Sequence, residues 1–401
     1  MENIKNRTIS IFNIIENKEI VFLFLIIASF IEPAGLRNAS IFPMFYDLGR
    51  ILGFFFIIWK LYTKEYKLSR VLYLLIGYQF ITLMIKFINV FSLSRSDILI
   101  ALWTIVPLIV LDNEIKINSK RIISIVYWIF LVLLGLNLIF MLLNVQFPSS
   151  AYHSFHLLGI RTSFTSYGLI ALISSAIFSL QRENKVISKY SAGMFAIVLT
   201  QLMFQWVATG ILAVATFGVV LYVLTKIERI REKGTYLNFV VLGLVINFSV
   251  IILRIQNLFS FIIVDILDKS LTLTDRIYIW DIAIETIGNS PLIGFGVNTQ
   301  MARVVGFGPS PMFAHSQLLQ MGLDSGLLGI LLFISLFFYV SKNIRRNQNT
   351  LMSTILSVGT FTILIVMIME VLFYSYFMWF IFIYIYNQKH LNSNVEDRLE
   401  Y

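Results

Sequence analysis

Cysteine is absent from this chain, and charged residues and proline are scarce. Without cysteine there is no disulfide and no thiolate-bound metal. Only 13% of the 401 residues are charged, whereas a soluble globular domain carries about 25%. No small-residue cleavage site follows the first apolar run, so we expect no removable signal peptide. The sequence is therefore not that of a disulfide-stapled secreted domain or an ordinary soluble protein.

Apolar residues dominate instead, at 58% of the chain, with a mean hydropathy of +0.82. Runs long enough to cross a bilayer recur along the whole length. We predict an all-α polytopic membrane protein that forms a single integral membrane domain over residues 1–401. About twelve transmembrane helices are expected, near 19–36, 44–62, 71–92, 97–112, 122–145, 163–181, 190–205, 208–225, 236–254, 315–340, 351–369 and 372–387. Only a Gln205-Trp206 turn separates the seventh from the eighth, and the last two are short enough to be tilted or partly re-entrant.

Lysine and arginine positions give the orientation, because cytoplasmic loops carry the excess of these residues. With the N-terminus inside, 22 of the 31 Lys and Arg residues fall in inner segments and seven in outer ones. Both termini are thus predicted to be cytoplasmic, including a polar, disordered tail over 388–401. The net charge of +9 follows from this topology and does not indicate nucleic-acid binding.

Two outer segments stand out, a loop over 146–162 and a much longer one over 255–314. A loop of the second length is usually functional. The window from Thr274 to Gly329 holds two arginines, one histidine and three of the seven prolines. Beside membrane spans, such polar groups must lie at the surface or line a cavity. We expect a helix from Asp275 to Ile287 with Thr274 as its N-cap.

Arg276 and Trp280 lie at i and i+4 on this helix, so the guanidinium should lie close to the indole. An arginine presents a fixed fork of donors that suits phosphate oxygens. The alternative is an interfacial anchor, with the indole at headgroup level and the arginine snorkelling. Arg161, just outside the sixth span, has the same two interpretations, and Arg303 is ambiguous.

Gly294 and Gly296 follow Pro291, and His315 opens the tenth span. Glycines allow close backbone approach and expose N–H groups to an anion, although the same pattern is typical of a helix stop. A neutral imidazole at His315 could take a proton from a hydroxyl nucleophile, or it could be a polar cap. His153 and His156 have helical metal spacing but no accompanying acidic cluster, so we predict no metal site.

Arg50 and Lys86 fall inside predicted spans, where cations are costly and are usually functional or paired. Asp47, one turn before Arg50, could neutralise it. Glu370, near the outer end of the eleventh span, could offer its carboxylate to a cavity or to an arginine. Together these residues describe an outward-facing, arginine-rich pocket that suits a substrate with an anionic head and a lipid tail.

The order of the motifs is more specific than any one of them. Arg276-x-x-x-Trp280, Pro291-x-x-Gly294-x-Gly296, a histidine opening a span and then Gly326-Leu-Leu-Gly329 resemble the O-antigen polymerase and ligase superfamily. The stretch TDRIYIWDIAIETIGNSPLIGFGV looks especially like polymerases of bacterial capsule and exopolysaccharide clusters. Arg161, at the start of RTSFTSYG, agrees loosely. Family members often have His-Asn where this chain has His315-Ser316, and Gly or Ser where it has Asp275.

The resemblance implies a glycosyltransferase C-like membrane enzyme that needs no metal or cofactor and acts on undecaprenyl-pyrophosphate-linked oligosaccharide outside the cytoplasm. It implies that Arg276 and Arg161 clamp the pyrophosphate, with Arg303 as a third cation, and that His315 activates or orients the acceptor hydroxyl. The resemblance further suggests a chain-length regulator and a repeat-unit flippase as partners, in the bacterial cytoplasmic membrane. The residues expected to shape the substrate pocket are Tyr278, Trp280, Gly294, Gly296 and Gln317.

Two other functions fit parts of the pattern. A ligase of the same superfamily would move a finished glycan to a different acceptor. A secondary transporter or lipid-linked oligosaccharide flippase would show repeated halves and interrupted helices at the midplane. No internal repeat is visible, and the polar density lies at the outer face. We therefore rank the polymerase first, the ligase second and the transporter or flippase third.

Overall fold

The computed structural model describes residues 18–37, 42–147, 155–255, 275–305, 312–344 and 349–396. Within these ranges the chain is helical, and the β-structure consists of two isolated bridges, His156 with Gly159 and Val304 with Met312. The all-α prediction is confirmed. The predicted cap Thr274 and His153 lie outside the described residues.

The helices are numbered here in chain order. They are α1 (18–29), α2 (Ala34–Arg37), α3 (Phe42–Tyr62), α4 (Arg70–Val90), α5 (Arg95–Leu142), α6 (Ser163–Glu183), α7 (Lys189–Phe204), α8 (Ala208–Lys226), α9 (Glu228–Lys233), α10 (Tyr236–Ile251), α11 (Arg276–Gly288), α12 (Gln317–Ile344), α13 (Leu351–Val366), α14 (Phe380–Tyr386) and α15 (Gln388–Glu396), with a 3₁₀ turn at Tyr376–Trp379.

Six of the described helices are long and apolar enough to cross a membrane, namely α3, α4, α5, α6, α8 and α12. Helix α5 is 48 residues long and covers both the fourth and the fifth predicted spans. In place of the predicted inner loop, a single non-helical residue, Asn118 (φ −153°, ψ 88°), separates its two halves. The chain is a multi-pass membrane protein, and the number of twelve spans stays a prediction.

The C-terminal region differs from prediction in two places. The expected span at 372–387 is helical only over Tyr376–Tyr386, about 16 Å, which is too short for a hydrocarbon core of about 30 Å. The tail expected to be disordered forms α15, and Leu391 is fully buried there. The physical reason is tertiary: Gln181 on α6 donates a 3.0 Å hydrogen bond to the Leu391 carbonyl.

The described residues divide into two compact units. The first takes its residues from Met1–Lys67, Ile109–Gln205 and His390–Tyr401. Helix α6 is its core: it is buried along nearly its whole length and packs against α7. Polar groups buried away from water must find partners within the protein. The serines of α6 therefore bond to nearby carbonyls; Ser175 Oγ, for example, donates to Leu172 O at 2.9 Å.

The second unit takes its residues from Leu68–Leu108 and Trp206–Lys389. Helix α13 lies in its interior and packs against α8 and α10. Asn247 on α10 donates a 2.7 Å hydrogen bond to the Leu364 carbonyl on α13 and so joins these two helices. Helix α12 packs against α4, α10, α11 and α14, so it connects the outer segment around α11 to the rest of this unit.

The two cations predicted inside spans are both paired. Arg50 Nη1 lies 3.1 Å from Asp47, as expected, and its Nη2 lies 2.6 Å from Glu32. Lys86 Nζ lies 2.6 Å from the buried carboxylate of Asp97. These pairs account for the cost of placing charge in an apolar environment, and each lies within a single unit.

Candidate functional site

Arg276 is the first residue of α11, which begins one residue later than predicted. Its Nη1 donates to the Met369 carbonyl and its Nη2 to Glu370 Oε1, the latter at 3.1 Å. The two charged side chains are 15% and 12% exposed. Burial raises the pKa of the Glu370 carboxyl, and the charge of Arg276 only partly offsets this. The guanidinium is therefore held at the turn that follows α13.

The predicted contact between the Trp280 indole and Arg276 is wrong. The indole is fully buried, in a cluster with Ile279, Ala283 and residues of α12. The guanidinium over its ring is that of Arg254, 5.4 Å from the centroid. Packing on α12 turns this side chain inward, so it is not a headgroup-level anchor. Tyr278, on the same helix, is 52% exposed.

His315 lies two residues before α12, in the left-handed conformation with φ 49°. Burial, and then the positive charge of Arg276, lower the pKa of its imidazole to about 4. The side chain is consequently neutral at physiological pH, with a lone pair for hydrogen bonding. The positive charge of Arg276 therefore acts on His315, and the catalytic role of the imidazole stays a prediction.

Helix α12 is broken at Gly326, which has φ 60° and ψ −160°. The loop from Pro291 to Gly296 fills the break, because its backbone groups satisfy those that the interruption leaves unpaired. Four hydrogen bonds make this connection: Phe295 N to Leu323 O (2.8 Å), Gly296 N to Asp324 O (2.9 Å), Leu327 N to Pro291 O (2.8 Å) and Leu328 N to Leu292 O (3.1 Å). We call this arrangement the helix splice.

Glycine is required on both sides of the helix splice. Gly294 has φ 63°, and a Cβ there would lie 2.6 Å from the Gly326 nitrogen. A Cβ on Gly326 would lie 2.4 Å from the Leu292 carbonyl carbon. The N–H of Gly294 donates to Ser290 O, and that of Gly296 is used in the splice. The expected exposure of these N–H groups to an anion is therefore not found; the two glycines allow close packing instead.

A cavity of about 70 Å³ lies beside the helix splice, within the second unit. Residues from α4, the start of α5, the loop after Gly296, α12 and the segment before α14 line it. Its polar lining residues are Tyr78, Gln79, Thr82, Asp97, Thr104, Asn298, Gln317, Asp324, Ser325, Tyr374 and Trp379. A cavity of this size has room for a few water-sized groups.

Asp324 also lines the cavity, and the sequence patterns did not single it out. The residue is 4% exposed. Gln320 Nε2 donates to Oδ1 at 3.0 Å, and the Tyr374 hydroxyl donates to Oδ2. The available signal was an acidic residue within an apolar helix, which is a mark of function or of pairing in a membrane protein.

Arg303 lies near Asp324 without forming an ion pair with it in the described part of the chain. Its guanidinium stacks 3.7 Å above the ring of Phe313, and Nη2 donates to Asn298 at 3.4 Å. Its Nη1 is buried and has no hydrogen-bond partner among the described residues. A buried donor of this kind costs free energy unless a ligand or water accepts its proton.

Gln317, predicted to contact the substrate, also anchors a backbone segment. It is 1% exposed, and Oε1 accepts hydrogen bonds from Leu372 N (2.8 Å) and Phe373 N (2.9 Å). The same side chain also lines the cavity. It therefore holds the segment that carries Glu370 and Tyr374 against the start of α12.

Arg161 belongs to the first unit, whereas Arg276, Arg303 and His315 belong to the second. Its side chain is exposed, two residues before α6 begins. His156 in the same segment is buried, and burial lowers the pKa of its imidazole. The pairing of Arg161 with Arg276 in one clamp stays a prediction.

The family comparison finds a similarity that covers the candidate site. Residues 193–334 match the family model described as O-antigen ligase, and this segment includes Arg276, the helix splice and His315. This match supports the predicted resemblance to the O-antigen polymerase and ligase superfamily over that segment of the chain. Members are glycosyltransferase-like enzymes that act on lipid-linked glycans. No match was found among curated proteins or among solved structures.

Proposed function

We propose that this protein is a polymerase that joins undecaprenyl-pyrophosphate-linked oligosaccharide repeat units into a capsular, O-antigen or exopolysaccharide chain. The observation that carries the proposal is that the turn after α13 holds both groups: Arg276, the first residue of α11, donates to the Met369 carbonyl, and the N–H of Gln317, two residues after His315, donates to the Met367 carbonyl. Arg276 and His315 both lie within the family-matched segment. A cation fixed at a helix N-terminus adds its charge to the helix dipole, and both favour an anionic ligand.

In the proposed reaction, a hydroxyl of one lipid-linked unit attacks the anomeric carbon of another. The new C–O bond forms as the bond from that carbon to the pyrophosphate breaks, and the electron pair leaves with the lipid pyrophosphate. Arg276, Arg161 and Arg303 stabilise the charge that develops on this leaving group. The neutral imidazole of His315 accepts a hydrogen bond from the attacking hydroxyl, which activates or orients it. Trp280, Tyr278 and the two loop glycines shape the pocket.

The proposal needs no metal, because the arginines supply the positive charge at the leaving group. It places the enzyme in the bacterial cytoplasmic membrane, with the site at the outer face and both termini in the cytoplasm. A repeat-unit flippase would deliver the substrate, and a chain-length regulator would set the size of the product. The family description names a ligase, so transfer to a different acceptor is the second candidate function.

Reconstitution of the purified protein with lipid-linked repeat units from its own pathway tests the proposal. We expect a ladder of polymer on a gel, and Arg161→Ala should abolish it while the protein remains folded. The exposed Arg95, replaced by Ala, is a matched control for the loss of one outer cation. Transfer that occurs only when another acceptor is supplied would identify a ligase. A donor that merely changes leaflet would identify a flippase.

A further inference from the structure

The cavity beside the helix splice has features that the proposed clamp does not use. Ser325, which lines it, is 1% exposed, and its Oγ is buried without a hydrogen-bond partner among the described residues. Leaving a buried hydroxyl unsatisfied is costly, and such groups in a native structure usually await a water or a ligand. The wall of the cavity therefore contains a hydrogen-bonding group that the described residues leave unused.

Asp324 adds acceptor capacity at the same place. An ionised carboxylate has about four lone-pair positions, and the structure uses two of them, for Gln320 and Tyr374. The remaining positions are suited to donors such as sugar hydroxyl groups. The adjacent aromatic residues Tyr78 and Trp379 offer the apolar faces against which a sugar ring packs.

The charge of the cavity favours a neutral occupant. Its ionisable lining residues other than tyrosine are two carboxylates, Asp97 and Asp324. The nearby cation Lys86 lies 2.6 Å from Asp97 and is taken up by that pair. With Asp97 paired, the remaining charges are the Asp324 carboxylate and the nearby Arg303 guanidinium. They balance, so the neutral, hydroxyl-bearing edge of a sugar suits the cavity better than a pyrophosphate.

We infer that this cavity is the subsite for the acceptor sugar, with Asp324 and Ser325 hydrogen-bonding to the hydroxyl groups of its neutral edge. The inference rests on the proposed function in that it divides the substrates between two places. The lipid pyrophosphate of the donor goes to the arginines, and the non-reducing sugar of the acceptor goes to the helix splice. The volume of about 70 Å³ admits one edge of a sugar ring, so hydroxyl positions on that edge are selected.

Binding of the lipid-free repeat-unit oligosaccharide to the full-length protein in nanodiscs, measured by calorimetry, tests the subsite directly. We expect Ser325→Ala to weaken binding about two- to ten-fold and Asp324→Asn about ten- to a hundred-fold, the usual ranges for neutral and charged hydrogen bonds. Ser325→Ala keeps the test valid if Asp324→Asn does not fold, because the serine hydroxyl has no partner to lose. Ser341→Ala is the control: it removes a buried hydroxyl from the same helix outside the cavity.

Unchanged dissociation constants in both cavity variants, or no binding to the wild-type protein, would overturn the subsite. In the polymerisation assay both variants should raise the KM for the acceptor and leave the KM for the donor unchanged. Polymerisation with an unaltered acceptor KM in both variants would contradict the subsite and leave the polymerase intact. Saccharide binding that follows the expected pattern without any glycosyl transfer would support the subsite and contradict the proposed function.

Discussion

Replacement of Arg276 by alanine should destabilise the second unit in a pH-dependent way. The substitution leaves the carboxylate of Glu370, whose side chain is 12% exposed, without its cation. It also removes a donor from the Met369 carbonyl. Breaking a buried ion pair from one side typically costs about 3–5 kcal/mol, and the residual exposure of this pair favours a value of about 3 kcal/mol.

The sign of the pH dependence follows from Glu370. Its pKa is already raised by burial in the presence of Arg276, and loss of the guanidinium raises it further. An acid whose pKa is raised on folding stabilises the fold below its unfolded pKa and loses this contribution as pH rises through the folded pKa. The cost of Arg276→Ala should therefore be greatest at neutral pH and should shrink as the pH falls and Glu370 becomes protonated.

Thermal inactivation half-lives in nanodiscs at a fixed temperature give the comparison. We expect Arg276→Ala to shorten the half-life markedly and the double variant to recover most of the loss. Glu370→Gln should shorten it less than Arg276→Ala, because the amide oxygen can still accept a hydrogen bond from Arg276. Asp281→Asn is the matched control, since it breaks an ion pair on the same helix in which the acid is 60% exposed, and such pairs contribute about 0–1 kcal/mol. Equal half-lives for Arg276→Ala and the double variant would refute the reasoning.

The folded double variant also gives the cleaner test of the clamp. If Arg276 binds the leaving pyrophosphate, this variant should make no polymer although it is stable. Arg276→Lys should also lose most activity, because an ammonium keeps the charge and lacks the planar fork of donors. Polymer of normal length from the double variant would refute the assignment of Arg276.

Three further predictions follow from the site. Gly294→Ala should cost about 2–4 kcal/mol of stability, because its backbone is left-handed and a Cβ would contact Gly326. Gly288→Ala, where a Cβ would meet nothing within 4 Å, should be tolerated. Equal expression and half-life for the two variants would contradict the helix splice. Because the pKa of His315 is lowered to about 4, folding stability should decline as the pH falls from about 6.5 to about 4, and His315→Gln should lessen that decline in a pH series of half-lives. Polymerisation should survive EDTA; activity lost to the chelator and restored by a divalent cation would contradict an arginine-only mechanism.

The local parts of the fold were predictable from the sequence. The limits of α11 follow from its apolar period and the Asn289-Ser290-Pro291 stop, and they agree with the structure within one residue. The tight turn after α7 and the pairing of Arg50 with Asp47 were also expected. Each of these depends on residues a few positions apart, where spacing alone places the side chains.

The parts that depend on distant segments were not predictable. Ser325-Gly326 is a turn signal at the break, but the apolar pattern continues on both sides and predicts an unbroken helix. The break exists because the loop from Pro291 to Gly296 supplies its hydrogen bonds. Similarly, spacing placed Arg276 beside Trp280, whereas the interaction with Met369 and Glu370 draws the guanidinium elsewhere. The cavity is built from five separate segments, and only Gln317 among its lining residues had been singled out.

The helix splice also defines what can be exchanged between related proteins. Backbone groups of residues 291–296 and 323–328 complete one another, so neither segment forms its hydrogen bonds with a partner of different geometry. A chimera with a crossover between Gly296 and Leu323 would join two unmatched halves, even if both parents were active. Crossovers placed before Arg276 and after Gly329 would keep α11, the loop and the break together. For recombination, these residues are a single cassette, although they are separated in the chain.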